Sequence, residues 1–223
     1  AGWTGIACLL YRQAAFPHRG VLQVAAAAGL GIGLSILHLS HHGSPVFPSG
    51  GMFLALLVGV SVALHLIALL RRQPEVRLFA DRAAGTLPVL LLVFLAAAPF
   101  TMALEALPAL GGALILGVLA MTAATRLGKG AWCAAAVGAT LLVHAGWTFG
   151  REGLQAQARE TLVAFIVQAV AVVLFTAWPH LAVRRFSGDR FAWYAAALAG
   201  PLWFTTLRRL FVWNFGDAFI GAL

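Results

Sequence analysis

Polar positions divide the chain into long apolar blocks of similar length, separated by short polar connectors. The blocks cover residues 21–39, 51–70, 84–104, 109–125, 131–149, 161–180 and 191–210. A helix crosses a hydrocarbon core of about 30 Å with about 20 mainly apolar residues, so each block suits one crossing. Residues 1–10 form an eighth, truncated block running into the basic connector YRQAAFPHRG. The third and fourth blocks are separated by EALPALGG, where Pro108 and the following glycine pair supply a turn. The pattern predicts an all-α polytopic transmembrane helical bundle, about seven full spans plus a truncated N-terminal one. Residues 1–223 then form a single integral membrane region. The chain opens inside an apolar run and closes on FVWNFGDAFIGAL, which reads as a loop leading into another span. Both features give the expectation of a fragment of a longer polytopic protein.

Composition gives the solvent. Of the 223 residues 61% are hydrophobic and 10% charged, with mean hydropathy +0.91, whereas soluble domains average about 45–50% apolar and about 25% charged. Such a chain cannot hide its apolar surface from water, because a quarter to a third of the unfolded surface stays exposed after folding. The partner this implies is the lipid bilayer. Fifteen basic side chains stand against seven acidic ones, and all but Lys129 are arginines. They lie in short runs between apolar blocks and form no continuous face for nucleic acid.

The arginines set orientation instead. Connectors 11–20, 71–82, 126–130 and 181–190 carry 11 Lys and Arg, and the alternate connectors with the end of the seventh block carry 4. An excess in short loops marks the cytoplasmic side, so the richer set is expected inside, in a multi-pass protein of the cell inner membrane. Trp132, Trp147, Trp178, Trp193 and Trp213 fall near block ends, where amphipathic rings favour the interface, while Trp3 and Trp203 do not fit. Gly29 and Gly33 in a GxxxG spacing, AAAAGLGIG and WCAAAVGAT offer small residues for close helix contact, read as packing within the chain. Pro99 and Pro201 are expected to kink their helices. Cys8 and Cys133 form neither a disulfide framework nor a CxxC motif and read as small apolar residues.

Chemistry in a membrane is sought among polar groups at depth. No charged residue lies mid-block, which argues against an ion-driven carrier within this stretch; Gln168 is the strongly polar uncharged candidate and reads as an interhelical hydrogen bond. Histidines are the exception. LHLSHHGSP places His38, His41 and His42 at the outer end of one block and the loop after it, where imidazoles could hold a transition metal or report pH; an interfacial polar turn is the plainer reading. By depth, His38 matches His144 toward the outer leaflet and His65 matches His180 toward the inner, the arrangement that bis-imidazole haem needs. Seven histidines also give such matches by chance, and no cofactor is the base expectation. GLGIG is not a nucleotide loop, and no GxSxG, HExxH or Walker motif occurs. No catalytic residue is assigned.

The run WPHLAVRRFSGDRFAWYAAALAGPLWFTTLRRL and the following WNFGDAFIGAL resemble the bacterial polytopic proteins grouped as domain of unknown function 2339. The likeness covers about residues 160–223: a span ending near Pro179, the RRFSGDR link, and an FAWYAAALAGPLWF span with its exit loop. It implies a bacterial inner-membrane protein with no established activity and transfers no site residue. The functional expectation is an integral membrane protein, structural or transport-related rather than an enzyme. Two alternatives are a haem- or metal-binding membrane oxidoreductase using the histidines and a membrane-embedded transferase on lipid-linked substrates, with His41, His42 and Arg208 at the outer surface.

Overall fold

Helix boundaries in the computed structural model follow local backbone chemistry. The structure describes residues 50–70, 74–97, 104–151 and 157–216, and every regular element among them is helical. In chain order these are α1 (Gly50–Leu70) and α2 (Pro74–Ala97), then a one-turn π segment (Leu107–Gly111) that continues directly into α3 (Gly112–Leu127). There follow α4 (Gly130–Gly150), α5 (Ala158–Leu181), the single turn α6 (Val183–Phe186) and α7 (Arg190–Phe215). Pro74 opens α2, where its missing N–H costs nothing. Gly128, at φ 62°, closes α3 in the left-handed conformation that glycine adopts without penalty.

Six of the seven expected spans meet a described helix; the span at 21–39, the partial one at 1–10 and the Pro99 kink lie outside the described residues. The third span was expected at 84–104, but α2 begins ten residues earlier and runs to Ala97. Its apolar stretch is Ala84–Ala97; the preceding PEVRLFADRA is helical yet too polar for a hydropathy window to include. Ala106 then opens the next helix, so the third and fourth blocks are separate helices. The seventh reaches Phe215, five residues beyond the expected end, and passes Pro201 without a break. Counted over the described residues, three segments are long and apolar enough to cross a membrane: Leu107–Leu127, Gly130–Gly150 and Ala158–Leu181. The broader count of seven is not reached by that measure.

Contacts fix the directions. Arg126 near the end of α3 meets Asp81 near the start of α2, and the His144 ring late in α4 meets the Leu110 carbonyl just before α3, so both pairs are antiparallel. Thr161 early in α5 bonds Asn214 late in α7, again antiparallel. Asp189 at the start of α7 bonds Gly130 at the start of α4, which makes those two parallel. The helices therefore alternate, and connectors 126–130 and 181–190 emerge at one end of the bundle.

Small side chains let these helices approach. Ala113, Ala120, Ala136, Ala171 and Ala199 are buried at the contacts, so association rests on close van der Waals approach of backbones. At Gly117 a methyl group would collide with the Thr140 hydroxyl and come within 3.0 Å of Phe175 Cζ. Within the WCAAAVGAT run, Ala136, Ala139 and Thr140 face neighbours while Gly138 has nothing near it. The outer surface is apolar: Leu142, Ile166, Val173, Leu198 and Phe204 are each more than half exposed. An apolar shell around a packed interior suits lipid as solvent, since lipid removes the drive to bury such side chains.

Candidate functional site

The polar centre of the bundle is a chain of hydrogen bonds through four helical segments. Trp203 Nε1 on α7 donates to His144 Nδ1 on α4 (3.1 Å), and His144 Nε2 lies 3.2 Å from the carbonyl of Leu110 in the π segment. The first bond requires an unprotonated Nδ1, so the ring is the neutral tautomer that donates through Nε2. The Thr148 hydroxyl donates to the His144 carbonyl (2.8 Å) and accepts from Gln168 Nε2 of α5 (2.8 Å). All four side chains are buried. The π turn coincides with the carbonyl that takes the His144 donor, as expected where a side chain competes within a helix ladder. Gln168 forms the interhelical bond expected of it, while its Oε1 is buried without a partner.

The predicted histidines are not brought together. His144 has both nitrogens engaged, and an iron would have to displace Trp203 or Leu110 to reach it. His65 of α1 points Nδ1 at the Ser61 carbonyl (2.9 Å) and Nε2 at the Leu119 carbonyl of α3 (2.6 Å). His180 is exposed at the end of α5 and meets the Trp193 ring edge-on, with centroids 5.0 Å apart. His65 meets Leu119, eight residues before the end of α3, whereas His180 meets Trp193 in the first turn of α7, so the two sit on different neighbours. His38, His41 and His42 lie outside the described residues. Among the described residues no group of three or more His, Cys, Asp or Glu side chains is arranged to hold a metal.

Two carboxylates the sequence reading left in connectors organise the ends. Asp189 accepts from Phe191 N (3.0 Å), capping α7, and from Gly130 N (2.6 Å), capping α4. The carboxylate fits because Gly130 has no side chain; a Cβ there would strike it. At the opposite end Glu160 of α5 accepts from Ala106 N (2.6 Å) at the start of the α3 segment and stands 3.7 Å from Arg151. Arg151 also donates to the Leu104 carbonyl (2.8 Å), as does Trp147 Nε1 (3.0 Å). Asp81 is buried in α2 and paired with Arg126. The interfacial tryptophans thus use their N–H groups inward: Trp178 donates to Thr125 Oγ1 and Trp193 to the Phe186 carbonyl.

One concavity combines charge with apolar walls. A groove of about 520 Å³ lies where α7 passes the end of α4, lined by Phe149, Phe204, Thr205, Arg208, Arg209 and Trp213 among others. The Arg209 guanidinium lies 4.9 Å from the Phe149 centroid and 4.5 Å from that of Trp213. Arg208 is exposed beside it. Sequence reasoning placed Arg208 at the outer surface but missed the groove, which needs Phe149 from another helix.

Comparison with known proteins finds no match: neither a protein-family model, nor a curated protein, nor a solved structure is similar to this chain. The residues themselves therefore carry the functional argument.

Proposed function

We propose that this chain is a multi-pass protein of the bacterial inner membrane, a helical bundle of structural or transport-related role. Its arginine-rich connectors 11–20, 71–82, 126–130 and 181–190 face the cytoplasm. The observation that carries the reading is the meeting of two basic connectors at one end of the bundle. Lys129 and Arg190 flank the Gly130 and Asp189 that join there. At the other end Glu160 stands beside Arg151 and compensates that guanidinium. The interior supports a scaffold or carrier over a catalyst, because His144, Trp203 and Thr148 spend their hydrogen bonds on one another and on the backbone. The likeness of residues 160–223 to domain of unknown function 2339 belongs to the same proposal.

The test is a set of reporter fusions within connectors 71–82, 104–106, 126–130, 151–157 and 181–190. Cytoplasmic reporters should be active at the first, third and fifth, and exported reporters at the second and fourth. Failure to alternate, or recovery of the chain in solution without detergent, would overturn the reading.

A further inference from the structure

The groove between α4 and α7 has a depth, a charge and a shape that together specify a ligand. Arg208 stands 18 residues after Arg190, which places it about 27 Å along α7, close to the about 30 Å of a hydrocarbon core. Phe149, 19 residues past Gly130 on the parallel helix α4, reaches the same level by the same rise. The guanidinium pair therefore sits one membrane thickness from the end where connectors 126–130 and 181–190 emerge, at the headgroup level of the opposite leaflet. The positive-inside rule gives no reason for an arginine pair there.

Nothing within the described protein neutralises this pair. The two salt bridges among the described residues are Arg126 with Asp81 and Arg151 with Glu160, and neither Arg208 nor Arg209 has a hydrogen-bond acceptor among them. The Arg209 guanidinium lies over the Phe149 and Trp213 rings, contacts that use its π system and none of its N–H donors. Thr205, Arg208, Arg209 and Val212 follow the i, i+3, i+4, i+7 spacing of one helix face, so the Thr205 hydroxyl lies one turn below the guanidinium groups on the same wall. Below it Phe204, 59% exposed, continues the wall toward the bilayer core. Two planar cations with a hydroxyl suit the oxygens of a phosphate, and the aromatic wall suits an acyl chain.

We infer that this groove is a binding site for a phosphate-headgroup lipid of the outer leaflet. The phosphate accepts from Arg208, Arg209 and Thr205, and the first carbons of an acyl chain lie along Phe204 and Phe149. The inference rests on the membrane reading above.

The experiment uses the whole chain, purified in a zwitterionic detergent and titrated with dioctanoyl phosphatidylglycerol, dioctanoylglycerol or inorganic phosphate. Binding is followed calorimetrically in the wild type, in R208Q, in R208Q/R209Q, in T205V and in R184Q/R185Q, which alters the opposite end. Saturable binding of phosphatidylglycerol is expected, with dioctanoylglycerol and inorganic phosphate each at least tenfold weaker. R208Q should weaken the lipid about tenfold and the double variant further, T205V should weaken it a few-fold, and R184Q/R185Q should leave it unchanged. R208Q alters an exposed side chain and T205V removes one hydroxyl, so the test does not depend on the double variant folding. Equal binding of dioctanoylglycerol, or equal losses at the two ends of the bundle, would overturn the site. Inorganic phosphate binding as tightly as the lipid would overturn its assignment to lipid. A chain that alternates in the reporter assay yet shows no lipid preference refutes this site alone.

Discussion

Replacing Asp189 by alanine removes the acceptor of two helix starts at once. Gly130 N, at 2.6 Å, belongs to a buried residue that water does not readily reach, and stranding such a donor costs about 1–3 kcal/mol. Phe191 N, at 3.0 Å, belongs to an exposed residue, so water replaces much of the lost cap and the loss is about 0.5–1 kcal/mol. The total of about 1.5–4 kcal/mol corresponds to a shift of about 10- to 700-fold in the folding equilibrium. Reversible unfolding in mixed micelles, followed by circular dichroism against the mole fraction of a denaturing detergent, reads that shift. Asparagine keeps one side-chain oxygen in place of two, so D189N should fall about midway between wild type and D189A. The geometric fit adds a second check. Alanine at Gly130 would place its Cβ against the Asp189 carboxylate and 2.7 Å from Ala192 N. G130A should therefore destabilise on its own, and G130A/D189A should lose less than the sum of the single variants, because part of the collision is gone. The reasoning is refuted if D189A stays within about 0.5 kcal/mol of an exposed-site control such as R184A, or if D189N matches the wild type.

Two further substitutions probe the interior. Q168L removes the unpartnered Oε1 together with the Nε2 bond to Thr148, whose hydroxyl keeps its bond to the His144 carbonyl. Relief of the first offsets about 1 kcal/mol lost with the second, so unfolding should show stability within about 1 kcal/mol of the wild type; a loss above about 2 kcal/mol would refute the reading of Oε1 as an unmet acceptor. G117A drives a methyl group into Thr140 and Phe175, and a thermal-unfolding series should show a loss of about 1–3 kcal/mol that G138A, at an open position, does not share.

Hydropathy located most of the helices but not the hydrogen-bond ladder. The blocks at 51–70, 131–149 and 161–180 lie within one to three residues of α1, α4 and α5 because apolar length and helix length coincide there. They diverge in α2, where Asp81 and Arg82 lie on the helix, one buried and one exposed, and in α7, which continues through Arg208 and Arg209. A polar residue ends an apolar window without ending a helix. The centre was legible only in part: Gln168 stood out as a polar group at depth, but its partner Thr148 belongs to another helix. His144 bonds a backbone carbonyl at Leu110, an acceptor that every residue carries and no sequence pattern marks. Trp203, which did not fit the interfacial pattern, is buried at the centre and holds the His144 tautomer. Asp189 was counted with a charged connector, because nothing in the order of residues announces that Gly130, 59 positions earlier, supplies its second donor.

That separation also sets an order of events during synthesis. The amides of Gly130 and Ala106 both wait for carboxylates that the ribosome adds later, Asp189 after 59 residues and Glu160 after 54. The earlier helices thus enter the bilayer with raw leading turns, and each is sealed only when a downstream hairpin folds back against it. Chains released before residue 189 should leave the first turn of α4 fraying, so maturation of that helix waits on a segment made 59 residues later.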